Sequence, residues 1–234
     1  MKKALCAAAL AASVTAMQPA NAVEFDVRIT NLSNAIYYTP FLVAAHPDGT
    51  SLFTVGQPAS ANLQAMAEGG DISGLLADVN GLGATVVENP ADGLLAPAAS
   101  VEFSMNTDGT STTLLRAVAT LVPTNDAVAG LNAVEIPTEP GTYVFNVPAY
   151  DAGTEANDEQ LTGGGAPGAP GIPADPGGLA GTGGTGAATA DANGNVHIHR
   201  GTLGDTDMAA GISDLDSRVH RWLNPVIRVT LTVQ

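Results

Sequence analysis

The chain reads as an all-β protein, mainly antiparallel, folded as a sandwich of about eight strands. Three observations predict this. Apolar and polar residues alternate with period two where the chain leaves its first twenty-odd residues (Val23, Phe25, Val27, Ile29) and again where it ends (Ile227, Val229, Leu231, Val233). Between short apolar runs the sequence supplies turn chemistry, as in His46-Pro47-Asp48-Gly49-Thr50, Asn106-Thr107-Asp108-Gly109 and Pro123-Thr124-Asn125-Asp126. No heptad and no internal repeat competes with that pattern.

Taken in order, Val23–Thr30 is a half-buried strand followed by a turn at residues 31–34. Ile36–Ala45 is a longer apolar run whose Pro40 cannot donate to a ladder, so its middle belongs to an edge or bulge. Leu52–Val55 is short and strand-like. The pattern then turns helical: Ser60 can cap a first helix carrying Leu63, Met66 and Ala67, closed by Gly69-Gly70, and Asp71 or Ser73 can cap a second through Leu75, Leu76 and Val79. Strands resume at Ser100–Met105 and Thr112–Val122, the latter apolar enough in sequence for burial on both faces over part of its length. Ala127–Val134, Thr142–Pro148, Val196–Arg200 and Pro225–Val233 complete the set. Residues 162–195 differ: Gly, Ala, Pro and Thr with hardly an aliphatic side chain cannot offset ordering entropy by apolar burial, and predict a flexible Gly/Ala/Pro-rich insertion in a single domain spanning residues 23–234.

Residues 1–22 have the form of a secretory signal peptide. Lys2 and Lys3 precede the apolar Ala4–Val14, and Ala20-Asn21-Ala22 is a small-x-small cleavage site, so cleavage is expected after Ala22, with a secreted or periplasmic product. The leader takes Cys6 and both lysines with it. What remains has no cysteine to form a disulfide, and only arginines oppose 23 acidic residues. That charge argues against nucleic acid and anionic lipid as partners. With aromatic residues at 4%, an outer-membrane barrel lacks its aromatic girdles, and no membrane span is expected.

The densest chemistry lies in Val147–Glu159, where Asp151, Glu155, Asp158 and Glu159 crowd one loop with Asn157 as a neutral oxygen donor. Carboxylates this close repel unless a cation sits among them, and calcium accepts many oxygen ligands in loose geometry. The ordinary alternative is a solvated acidic turn with Asp151 closing an Asx-turn. His197 and His199, at i and i+2 on a strand, suit zinc or copper if His46 or His220 joins them, but strand histidines hydrogen-bonded near the surface are commoner. Asp205, Asp207, Asp214 and Asp216 lack EF-hand spacing and read as turn and cap residues on a solvated face. No Gly-x-Ser-x-Gly elbow, P-loop, His-Glu-x-x-His or dinucleotide fingerprint occurs.

Six phrases together resemble one family: Thr39-Pro40-Phe41-Leu42-Val43-Ala44-Ala45-His46, Leu52–Ser60, Val122-Pro123-Thr124-Asn125-Asp126, Ala149-Tyr150-Asp151-Ala152-Gly153-Thr154-Glu155, His197-Ile198-His199-Arg200-Gly201 and Trp222-Leu223-Asn224-Pro225. In this order they look like the spondin domain in a bacterial form. Its animal members, such as F-spondin and mindin, are secreted extracellular-matrix proteins. The resemblance runs from about Glu24 to the chain end, the Gly-rich insertion excepted. It implies a C2-like β-sandwich holding a calcium ion in loops at one end. By position the ligands fall on Asp126, Asp151 and Glu155, the last an aspartate in the animal proteins, with Asp158 as an additional ligand, directly or through water. The expected function is that of an exported, non-enzymatic, calcium-binding domain in adhesion or matrix-type contacts, its partners the calcium ion and an extracellular protein or glycan. The rival expectations are a metal-dependent hydrolase using the same carboxylates, and a purely structural exported domain.

Overall fold

The computed structural model describes residues 22–49, 51–107, 112–190 and 193–234. Its elements are β1 (Glu24–Asn31), β2 (Tyr37–Tyr38), β3 (Leu42–His46), α1 (Ala61–Gly69), α2 (Ser73–Asn80), β4 (Thr85–Glu88), β5 (Ser100–Asn106), β6 (Leu114–Val122), β7 (Ala127–Glu135), β8 (Gly141–Val147), β9 (Ala149–Asp151), β10 (His197–Ile198) and β11 (Ile227–Val233). They form two antiparallel sheets. One has the order β5-β1-β11-β8; the other runs β10-β9-β7-β6-β3-β4, with β2 also on β6.

The terminal strands lie side by side, Phe25 opposite Val233 and Ile29 opposite Val229. Phe25, Val27, Ile29, Ile227, Val229 and Leu231 all point into the space between the sheets. A strict alternation of this kind leaves Asp26, Arg28 and Thr232 on the outer, wetted side. The second sheet answers with Leu115, Ala117, Ala119 and Leu121 of β6, over Tyr38 and Phe41.

The opposite face of β6 is buried too. Val118, with Leu42, Ala44 and Val128, packs beneath Leu63, Met66 and Ala67 of α1 and Leu75 and Val79 of α2. The two helices therefore roof the second sheet. Ser60 caps α1 as expected, its hydroxyl accepting the Leu63 N–H at 3.1 Å, and Gly70 ends it with φ +72°. At α2 the Asp71 carboxylate accepts the Ser73 N–H at 2.9 Å.

The structure departs from the sequence reading in four places. Among the described residues eleven strands replace about eight, because β2, β4 and β9 are short. Leu52–Val55 forms no strand; Leu52 and Phe53 are buried by packing, the Phe53 ring 4.9 Å from that of Tyr150. Asp151 ends a strand that pairs with β7 and β10, so the acidic stretch is not a single loop. Residues 162–190 carry no helix or strand, yet Ile172 is buried and their amides bond to the body, with Gly181 donating to the Asp214 carbonyl and Gly186 to that of Ile212. The leader, and Asp108 and Gly109 of the expected hairpin turn, lie outside the described residues. Among the described residues no helix is long and apolar enough to cross a membrane.

Candidate metal centre

Sheet register brings the two acidic segments together. Ala127, the first residue of β7, pairs with Asp151, the last of β9, and the Ala152 N–H bonds the Asp126 carbonyl at 3.2 Å. Asp126 and Asp151 thus leave the same end of the sheet. Asp151 Oδ1 then accepts the Gly153 N–H at 2.8 Å, the expected Asx-turn. Gly153 is required there: φ is +70°, and a Cβ would meet the Asn195 carbonyl oxygen at 2.7 Å.

That turn folds the chain back over Asp126. Asp126 Oδ2 accepts from the Thr154 N–H at 2.8 Å, the Thr154 hydroxyl at 3.2 Å and the Glu155 N–H at 3.2 Å. Asn125 stitches the remainder: its amide donates to Glu155 Oε2 at 3.3 Å and to Asp158 Oδ1 at 2.8 Å, and its carbonyl accepts the Glu159 N–H. The four residues singled out in the sequence are therefore neighbours. Asp126, Asp151 and Glu155 are buried and Asp158 is half-buried. Asn157 joins the group through its amide, which donates to Asp151 Oδ2 at 2.8 Å.

Among the described residues three buried carboxylate oxygens, Asp126 Oδ1, Glu155 Oε1 and Glu159 Oε2, have no hydrogen-bond partner. Burial, then the Asp151 charge, pushes Asp126 up to about 7. Burial chiefly does the same to Glu155 and Glu159, each to about 7. A buried acceptor that no donor reaches is costly, and a cation would satisfy it. The donors are all oxygen, which fits calcium rather than a soft metal. Among the described residues no three His, Cys, Asp or Glu side chains already converge as a ligand set, so carbonyl and solvent oxygens would share the coordination.

The histidine pair is placed differently. His199 is buried against Trp222, ring centroids 5.0 Å apart, with Nδ1 accepting the Gly201 N–H, and burial lowers it to about 4. His197 Nε2 lies 3.7 Å from Asp151 Oδ2. Asp205 and Asp207 serve turns as expected, but Asp214 and Asp216 are buried: Asp214 accepts the Leu161 and Gly184 N–H groups, and Asp216 pairs with Arg218.

Sequence reasoning named Glu159 in the acidic stretch but not among the ligands, and left Asn125 and Glu68 out of the site. Glu68, on α1, is buried, accepts the Gly168 N–H of the glycine-rich segment, and its charge acts on Glu155. Asn125 stood beside a candidate ligand, but its bridging depends on tertiary register.

The family model Spondin_N matches residues 30–160. The match contains all four candidate ligands and stops before the glycine-rich segment, so it is shorter than the resemblance read from the sequence. No curated protein matches the chain.

Proposed function

The chain belongs to the Spondin_N family, and from that premise we propose that it is an exported, non-enzymatic β-sandwich, C2-like in plan, that binds calcium at one rim through Asp126, Asp151, Glu155 and Asp158 and acts in adhesion or matrix-type contacts with an extracellular protein or glycan. The observation that carries this reading is the pair of buried, partnerless oxygens Asp126 Oδ1 and Glu155 Oε1 in adjoining acidic segments. Calcium would neutralise their repulsion and tie the β7 and β9 ends together. No observation at these residues favours the hydrolase alternative.

Thermal unfolding tests the reading. A ligand that binds only the folded state stabilises it by about 2.7 kcal/mol at a hundredfold excess over Kd. The melting temperature in EDTA should therefore climb across a calcium titration. Magnesium should do much less, because it demands octahedral geometry and sheds water reluctantly. An unchanged melting temperature removes calcium from the function and leaves the sandwich standing.

A further inference from the structure

Glu159 stands apart from the four ligands just argued. Its side chain is 2% exposed. Oε1 accepts the Leu203 N–H at 3.0 Å, and Oε2 has no partner. The backbone is pinned on both sides, with the N–H bonding Asn125 Oδ1 at 3.2 Å and the carbonyl accepting the Asp214 N–H at 2.8 Å. The side chain therefore has little freedom to swing towards water. A second buried oxygen without a partner, Thr202 Oγ1, belongs to the residue immediately before Leu203.

The charges around it divide the acidic rim into two groups. Glu155 feels Asp126 and Glu68. Glu159 feels Asp158 and Asp151, opposed by the exposed Arg200. Asp151 acts on both Asp126 and Glu159. Its two oxygens each accept one hydrogen bond, from Gly153 and Asn157, and each retains a lone pair.

We infer that Glu159 marks a second divalent-cation position, distinct from the one at Asp126 and Glu155. Its protein donors are Glu159 Oε2 and Thr202 Oγ1, with solvent and carbonyl oxygens completing the shell. An all-oxygen set of this kind selects a hard cation, calcium before zinc or copper. The inference rests on the calcium reading of the first position. The competing account is a buried water bridging Glu159 and Thr202, which would leave calcium binding indifferent to either side chain.

The test is the number of calcium ions bound per chain, measured at neutral pH by equilibrium dialysis and by native mass spectrometry. The inference expects two for the wild type and one for Glu159→Gln, a variant that preserves size and the acceptor for Leu203. Thr202→Val, which keeps the shape and removes only the hydroxyl, should weaken one of the two ions about tenfold and leave the other unchanged; it serves as the second probe if Glu159→Gln misfolds by circular dichroism. One ion in the wild type, retained by Glu159→Gln and Thr202→Val but lost in Asp126→Asn, overturns the second position and leaves the first intact. No bound ion in the wild type overturns the calcium reading itself.

Discussion

At the residue scale the decisive feature is a carboxylate placed where carboxylates are penalised. Asp126 is fully buried, has like charge beside it in Asp151, and uses only one of its oxygens. Asp126→Asn should consequently act with opposite signs in two buffers. In EDTA the neutral amide removes the desolvated charge and turns a donor towards its acidic neighbours, and the melting temperature should rise by about 2–8 °C, from about 1–2 kcal/mol at roughly 2–4 °C per kcal/mol. In excess calcium the variant should melt below the wild type. The pH dependence follows from the same burial. Asp126 has a folded value of about 7 against an ordinary 3.8, and Glu155 about 7 against 4.5. Between those limits the folded state holds protons that the unfolded state has lost, so stability of the cation-free protein is full below about pH 4 and declines as pH rises towards 7. Calcium competes with those protons, and its stabilising increment should grow over the same interval. Melting curves from pH 4 to 8 with EDTA and with calcium measure both slopes. An EDTA curve that rises with pH contradicts the assigned burial.

At the element scale, segments with one wet face could be read and segments defined by their partners could not. β1 and β11 announce themselves by alternation because their outer side chains face water, and β6 by a continuous apolar run because both its faces are covered. β4 and β9 are too short to show a period, and each exists through the ladder it joins, to β3 and to β7. Leu52–Val55 misled because Phe53 is apolar for packing, not pairing: a Cβ on Gly130 would fall 2.5 Å from its ring. The site divides the same way. Asp126, Asp151 and Glu155 were visible as acidic residues beside turn chemistry. The bridging by Asn125 and the orphaned oxygen of Glu159 depend on register and could not be seen. The helical roof was legible down to its cap, and it offers a local test. Ser60→Ala removes the hydroxyl that accepts the Leu63 N–H, which should cost about 1 kcal/mol and lower the melting temperature by about 2–4 °C. The shift should be the same in EDTA and in calcium, since α1 contributes to the centre only through Glu68. A calcium-dependent shift would mean that the roof and the rim are coupled more tightly than the hydrogen bonds indicate.

At the scale of the whole molecule, an acidic chain with a formal charge of −15 uses its carboxylates in place of apolar contacts to hold a segment that has few of its own. Residues 162–195 offer few aliphatic side chains, but their backbone amides supply the contacts that composition does not show. Gly168 donates to Glu68, Gly171 to Glu155, and Leu161 and Gly184 to Asp214. Hydrogen bonds to a charged acceptor are stronger than neutral ones, so glycine amides can anchor a strap without burying it. Glu155 joins this strap to the candidate centre, because Oε2 holds Gly171 and Oε1 is the oxygen without a partner. A cation on Oε1 would fix the rotamer that presents Oε2, and by linkage the strap and the cation must then favour each other equally. Hydrogen exchange reads that coupling directly. Peptides covering residues 163–190 should exchange more slowly in calcium than in EDTA, and Glu155→Gln should abolish the difference while leaving exchange in β1 and β11 unaltered. If calcium raised the melting temperature and exchange in the strap stayed the same, the cation would bind without engaging Glu155, and the ligand set would contract to the aspartates at the ends of β7 and β9.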